Sequence, residues 1–194
     1  MRTLLLMMGL LAVSGSAFSA YEEFTDPDND SIATAQYVGG LYDGAGDLHV
    51  FGVRGTVSVF GTTINDNSKA DFYSFDIEAG TRISASVLTP EGPQILNDPI
   101  LGLFDSAGNM LAFNDDGYSV GVDSRLTYTV GATDFYYLAV SGFGDSDFSG
   151  EDGSTDYLYT LNVSVAPIPL PGAAWLLGSA LLGFAGFATR GRRG

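Results

Sequence analysis

The chain has 194 residues, enough for one ordinary domain with additional sorting segments, and 23 acidic side chains against 8 basic ones give it a formal net charge of −15. All the acids lie between residues 22 and 156, where only four bases accompany them, so this part of the chain has a net charge of −19. Such a charge repels phosphate backbones and excludes a nucleic-acid partner. The absence of cysteine excludes disulfides and thiolate sites, and the single histidine, His49, provides no histidine pair for a zinc or iron centre.

The N-terminus has the pattern of an export signal. Arg2 precedes an apolar run over residues 4–13, and small residues follow at 14–17. A basic residue, a short apolar segment and a small-residue cleavage region are typical of a secretory signal peptide. We therefore predict a signal peptide over residues 1–20, which the Sec export machinery handles and which is cleaved after Ser19 or Ala20.

An acidic lead-in is predicted over residues 21–44, with at most one helical turn at 31–36, followed by a β-domain over 45–166. Apolar and polar residues alternate in this domain with a period of two, which indicates strands with one buried and one wet face. We expect an all-β fold, an antiparallel jelly-roll-like β-sandwich with one main core. The expected strands lie near residues 48–53, 55–60, 72–77, 82–87, 99–105, 108–113, 125–130, 134–141 and 157–165. The expected core side chains are Tyr73, Phe75, Ile83, Val87, Leu126, Tyr128, Leu138, Tyr159 and Leu161.

Several segments of this domain resemble a known family. They lie at residues 26–36, 70–75 with 78–80, 98–105 with 111–116, 123–126, 135–138 and 157–161. Together they resemble the bacterial pre-peptidase C-terminal (PPC) domain over most of residues 26–165. The resemblance implies a non-catalytic β-sandwich of the kind found beside secreted peptidases and as an accessory module.

Two groups of acids are candidate calcium ligands. Calcium takes six to eight oxygens, several from carboxylates on loops, and neither group has EF-hand spacing. The resemblance implies ligands from the acidic N-terminal linker and from acids just before the D-x-Y-x-F strand, namely Asp26, Asp28, Asp30, Asp66 and Asp71. An alternative group at neighbouring strand ends consists of Asp98, Asn114, Asp115, Asp116 and Asp123. The other interpretation is that these acids only solvate loops.

No catalytic residue is predicted. A glycosidase pair needs two carboxyls facing each other across a cleft, whereas most acids here fall in turns. His49 lies on an expected strand, and no serine has a nucleophile-elbow motif. Four tyrosines are candidates for a sugar-stacking platform, although alternation favours core packing for them: Tyr136, Tyr137, Tyr157 and Tyr159.

The C-terminus resembles the VPLPA type of PEP-CTERM sorting signal. The residues that carry the resemblance are Pro169, Leu170, Pro171 and Gly172, then the uncharged segment 173–189, then Arg190, Arg192 and Arg193 within the tail 190–194. The segment 173–189 is predicted to be a short transmembrane helix, with the arginines in the cytoplasm. The resemblance implies recognition and processing by an exosortase, a membrane enzyme of Gram-negative bacteria.

These patterns lead to one main functional hypothesis and two alternatives. The main hypothesis is a non-enzymatic exported surface or extracellular-matrix protein, anchored transiently in the inner membrane and then released to the cell surface or beyond. The first alternative is an accessory module that binds extracellular polysaccharide or protein. The second is a secreted hydrolase with an unrecognised site.

Overall fold

The computed structural model describes residues 19–22, 28–41, 47–59, 62–65, 69–90, 97–117, 122–150, 153–154 and 156–167. The predicted signal peptide before residue 19, the sorting motif at 169–172, the helix at 173–189 and the basic tail at 190–194 lie outside these residues. Within the described part of the chain, no helix is long and apolar enough to cross a membrane.

The described residues contain twelve β-strands and no helix. The strands are β1 (Ser19–Glu22), β2 (Gln36–Leu41), β3 (Leu48–Arg54), β4 (Thr56–Val59), β5 (Thr62–Asn65), β6 (Asp71–Ile77), β7 (Thr81–Leu88), β8 (Pro99–Asp105), β9 (Met110–Asn114), β10 (Arg125–Thr129), β11 (Asp134–Gly142) and β12 (Tyr157–Pro167). Each strand expected from the sequence is present, so the all-β prediction is confirmed.

The strands form two five-stranded sheets and a hairpin. The first sheet has the order β1-β3-β12-β7-β10, the second has the order β2-β6-β11-β8-β9, and β4 pairs with β5. The pairing is antiparallel except at two sheet edges, where β1 runs parallel to β3 and β2 runs parallel to β6. The two edge strands were not among those expected from the sequence.

Strand β2 lies inside the segment that the sequence analysis assigned to the lead-in. Its alternation is broken by Gly39 and Gly40 and by a register shift between Tyr37 and Gly39, which explains why the period-two pattern did not predict it. Gly39 has a φ of 111°, a conformation that favours glycine. The turn expected at 31–36 is shorter: the Thr34 amide donates to the Ser31 carbonyl, and β2 begins at Gln36.

The main core lies between the two sheets. Eight of the nine side chains expected there are at most 5% exposed, and the ninth, Tyr128, is half-buried and packs against them. Burial of each large apolar side chain contributes about 1.5–3 kcal/mol, so these residues dominate the stability of the fold. Of the four candidate platform tyrosines, three are buried and Tyr137 is half-buried on the outer face of the second sheet.

A second apolar cluster corrects the expectation that β6 has a wet face. Phe72 and Ser74, which were expected to face solvent, are both buried. The cluster lies on the outer side of the second sheet and consists of Ala70, Phe72, Ile100, Phe104, Ala139 and Phe148. Phe148 comes from the segment after β11, and its ring meets Phe104 edge to face with centroids 5.5 Å apart. The central strands β6, β8 and β11 are thus covered on both sides.

Replacement of Phe148 by alanine tests whether this cover contributes to stability. Because Phe148 is only 4% exposed, we expect Phe148→Ala to lower the free energy of unfolding by about 3–5 kcal/mol in urea titrations. Phe143→Ala is the matched control, since that ring is 57% exposed, and its effect should stay within about 0.5 kcal/mol. Equal losses in the two variants would contradict the role of Phe148.

Candidate metal site

Three carboxylates meet at one end of the second sheet. Asp98 immediately precedes β8, and Asp115 and Asp116 immediately follow β9. Because β8 and β9 are antiparallel neighbours, the start of one lies beside the end of the other, with Leu101 opposite Asn114. One carboxylate oxygen from each of the three acids lies within 4.8 Å of the other two. Three of the five residues in the alternative set from the sequence are therefore brought together.

Part of this group is withdrawn from solvent without hydrogen-bond partners. Asp98 and Asp115 are half-buried, whereas Asp116 is exposed. The Oδ1 atoms of Asp98 and Asp115 are shielded from solvent and accept no hydrogen bond in the described part of the structure. An unsatisfied carboxylate oxygen is costly, and a bound cation would satisfy it.

The electrostatics of the group also favour a cation. Burial, and then the neighbouring charges of Asp115 and Asp116, raise the pKa of Asp98. Burial and the charge of Asp116 raise the pKa of Asp115. Asp98 and Asp115 therefore resist ionisation in this group, and a divalent cation between the carboxylates would reverse that effect.

The other two members of the alternative set have structural roles in the described residues. The Asn114 side-chain oxygen accepts a hydrogen bond from the Arg125 amide at 3.2 Å. The Asp123 carboxylate accepts hydrogen bonds from both the amide and the hydroxyl of Thr89, each at 3.0 Å. The Asn114 contact joins the end of β9 to the start of β10, and the Asp123 contacts join the segment after β7 to the segment before β10.

Sequence reasoning missed Ser124 as part of this end of the sheet. Its hydroxyl is fully buried and lies within hydrogen-bonding distance of three carbonyls, those of Pro99, Asn114 and Asp115. It therefore links the start of β8 to the end of β9 and fixes the spacing of the clustered carboxylates. A serine between two charged residues gives no sequence signal for such a role.

The acids implied as calcium ligands by the family resemblance do not come together as a three-acid group in the described residues. Asp26 and Asp66 lie outside the described residues. Asp28 is exposed, and Asp30 pairs with the Lys69 ammonium at 3.0 Å. Asp71 is 1% exposed, and it accepts a hydrogen bond from the Tyr159 hydroxyl at 2.6 Å. In the described part of the chain, the geometric requirement for a three-acid metal group is met by the Asp98 group.

Asp71 and Arg54 are both buried, and the charges of both act on the adjacent Tyr157. The Arg54 guanidinium donates to the Lys69 carbonyl at 2.7 Å and to the Ser154 carbonyl at 2.9 Å. The Tyr159 hydroxyl contacts that of Tyr73 and donates to Asp71. Burial raises the pKa of the adjacent Tyr157, and the charge of Arg54 opposes that rise.

The clustered acids suit a hard cation better than a soft one. Three carboxylates offer up to six oxygens, and the exposed position of Asp116 leaves room for water ligands, a combination that Ca²⁺ accepts. His49 lies on β3 of the other sheet, with its Nδ1 2.5 Å from the side-chain oxygen of Asn162. This hydrogen-bond partner of His49 is the amide side chain of Asn162.

Comparison with known proteins gives a match over the part of the chain that carries this site. Residues 69–142 match the sequence model of the bacterial pre-peptidase C-terminal domain. A probable subtilase-type serine protease of Deinococcus radiodurans is 34% identical over 94 residues, which covers 45% of this chain and 13% of the relative. The chain therefore spans about an eighth of that relative's length.

Three solved structures show partial likeness. The pre-peptidase C-terminal domain of a Bacillus anthracis collagenase has 17% identity and a TM-score of 0.39, covering 68% of this chain and 94% of that one. A periplasmic inhibitor of g-type lysozyme from Aeromonas hydrophila has 11% identity and a TM-score of 0.41, covering 78% and 100%. A surface-associated copper-binding protein of Methylomicrobium album has 12% identity and a TM-score of 0.36, also covering 78% and 100%. TM-scores below 0.5 are too low to transfer a property from any of the three.

The sequence match and the local geometry coincide. Strands β6–β11 all lie in the matched residues, as do Asp98, Asp115 and Asp116. The resemblance stated from the sequence is confirmed for this segment. Residues 69–142 of this chain therefore match the bacterial pre-peptidase C-terminal domain. They lie within an all-β fold of two facing sheets.

Proposed function

We propose that this protein is an exported, non-enzymatic surface or extracellular-matrix module whose acidic β-domain is stabilised by Ca²⁺. The observation that carries the cation site is the group formed by Asp98, Asp115 and Asp116, with two shielded oxygens that accept no hydrogen bond among the described residues. Secreted proteins meet far more free calcium than cytosolic ones, so a site of modest affinity suffices.

The cation would act on the folded state. Folding gathers the three carboxylates at the junction of β8 and β9, whereas the unfolded chain separates them. A cation that binds the folded form alone shifts the equilibrium towards it by mass action. The same ion would hold the start of β8 against the end of β9, beside Ser124.

Export is supported by the match to a domain type that occurs in secreted proteins and by the signal-like N-terminus. We assign the sorting step to the C-terminus, where Pro169, Pro171 and Gly172 precede an apolar segment and a basic tail. In this scheme an exosortase recognises the tail while the segment 173–189 holds the precursor in the inner membrane, and cleavage then releases the domain.

A polysaccharide-binding role is a second candidate, favoured by the outer face of the first sheet. Cross-strand register aligns His49, Asn162, Ser86 and Arg125 in one row. These residues line a cleft of about 150 Å³ together with Ser84 and Ser164. Hydroxyl, amide and imidazole groups at this density suit a ligand rich in hydroxyls, and a glycan-array screen separates this role from a purely structural one.

Calcium is expected to stabilise the purified protein against heat. At a concentration of one hundred times Kd, Ca²⁺ would add about 2.7 kcal/mol, which corresponds to a rise in Tm of about 5–10 °C relative to EDTA buffer. Asp98→Asn and Asp115→Asn should each remove most of this rise. Glu78→Gln is the matched control, because Glu78 is exposed and lies outside both candidate sets. Identical melting with and without calcium would favour acids that only solvate loops.

The raised pKa values of Asp98 and Asp115 predict a pH dependence in the absence of calcium. Above the unfolded-state pKa near 4, the folded state retains protons that the unfolded state has lost. These two groups therefore make the protein less stable as the pH rises from about 4 through their folded pKa values.

Unfolding free energies measured in urea with EDTA across this pH range test the sign of that contribution. Asp105, Asp134 and Asp147, whose pKa values are lowered by hydrogen bonds, contribute the opposite slope. The informative quantity is therefore the unfolding free energy of Asp98→Asn minus that of the unmodified protein. This difference should become more positive as the pH rises. Parallel profiles would contradict the proposed repulsion.

Removal of the tail is expected in the protein recovered from the cell surface. Cleavage near residues 169–172 would leave a polypeptide without the apolar segment and without Arg190, Arg192 and Arg193. Intact-mass spectrometry of native material measures this directly. A mass that still includes residues 173–194 would show a protein that keeps its tail.

A further inference from the structure

An aromatic groove lies on the outer face of the second sheet, distinct from the carboxylate group. It has a volume of about 420 Å³ and is lined by Tyr37, Phe135 and Tyr137, by Ser74 between the strands, and by Ile32, Ala33 and Ala35 from the segment before β2. Tyr37 and Phe135 are 55% and 47% exposed. Large exposed aromatic rings that line one concave surface commonly mark a binding site.

Cross-strand register creates the groove. Ser74 of β6 lies opposite both Tyr37 of β2 and Tyr137 of β11, which places the three in one row. In the next row, Asp76 lies opposite Phe135. Ser74 is thus flanked by rings from the strands on either side, and Asp76 lies between Phe135 and Gly40.

The orientation of the rings selects the shape of the ligand. The centroids of Tyr37 and Phe135 are 6.2 Å apart and their planes are inclined by 60°. A flat sugar ring cannot stack on both rings at that angle. Because the two rings meet edge to face, a rounded cation can lie over the face of one of them, within about 6 Å of its centroid, the range in which a cation is attracted to an aromatic face.

The charge of the groove points to the same class of ligand. The Tyr37 hydroxyl donates to Asp76 at 2.5 Å, and this hydrogen bond, with burial and the carboxylate charge, raises the pKa of Tyr37. The hydroxyl therefore stays protonated and holds the Asp76 carboxylate beside Tyr37, one of the residues that line the groove. The whole chain has a net charge of −15, so its field attracts cations.

We propose that this groove binds a methylated ammonium group of a small soluble molecule. Methyl groups around a quaternary nitrogen spread its charge over an apolar surface, which packs on Tyr37, Phe135 and Tyr137 while Asp76 supplies the counter-charge. The groove volume is in the usual range for small-molecule sites. The assignment is independent of the proposed Ca²⁺ site, which involves other residues.

Choline and 3,3-dimethyl-1-butanol are matched probes, because they share a shape and differ in the positive charge. We expect saturable shifts of the aromatic-ring NMR signals of the purified protein with choline chloride, at constant ionic strength and in EDTA. The neutral alcohol should give shifts that do not saturate over the same concentrations. Equal binding of the two probes, no saturable choline binding at millimolar concentration, or tighter binding of a neutral glucan oligosaccharide would each overturn the proposal.

Variants locate the binding. Phe135→Leu and Asp76→Asn should each weaken choline binding about threefold to tenfold, since a cation–π contact and a nearby charge have effects of that size. Phe143→Leu is the matched control, because that ring is comparably exposed but lies outside the groove, and choline affinity should not change. Tyr37→Leu provides a second test if Phe135→Leu melts at a lower temperature. Choline affinity that is unchanged in the groove variants, or that falls equally in the control, would overturn the proposal.

Discussion

The buried guanidinium of Arg54, at the end of β3, is the constraint on which the surrounding part of the sandwich depends. An arginine side chain cannot lose its proton in a protein, so a fully buried one needs acceptors fixed around it. It donates hydrogen bonds to the carbonyls of Lys69 and Ser154, which are 15 and 100 residues away in sequence. The side chain therefore joins the end of β3 to the segments that lead into β6 and β12.

A second set of buried hydrogen bonds, which joins Asp71, Tyr159 and Tyr73, explains the position of Asp71. A carboxylate beside a D-x-Y-x-F strand suits a surface metal ligand when it is viewed as sequence alone, yet here it is buried and accepts the Tyr159 hydroxyl. Tyr73 and Tyr159 come from strands of opposite sheets, and their hydroxyls meet in the interior. A polar contact of this kind fixes the relative register of the sheets, whereas apolar packing alone tolerates small shifts.

The two candidate binding sites lie at opposite ends of β11 in the second sheet. The carboxylate group is beside the start of β8, where Pro99 pairs with Gly142 at the end of β11. The aromatic groove includes Phe135 near the start of β11. Both proposed sites would use the excess of negative charge, the first through direct oxygen ligands and the second through aromatic faces beside a single carboxylate. The rigid strands between them are covered on both sides, which is typical of a scaffold that presents sites at its edges.

The sequence by itself determined the strand content and most of the core, because alternation with a period of two is a local property that sets which side chains can share a face. It also located the acids at neighbouring strand ends and the family match around them. It missed β1 and β2, which pair at sheet edges without clear alternation, and it misjudged the outer face of β6, because Phe148 covers that face from 76 positions further along the chain than Phe72. Only the tertiary structure decided which acids meet: antiparallel pairing joined Asp98 to Asp115 and Asp116, while Asp71 is buried and accepts the Tyr159 hydroxyl. Those outcomes depend on long-range register and on the cost of an unpaired buried charge, and neither is encoded in local spacing.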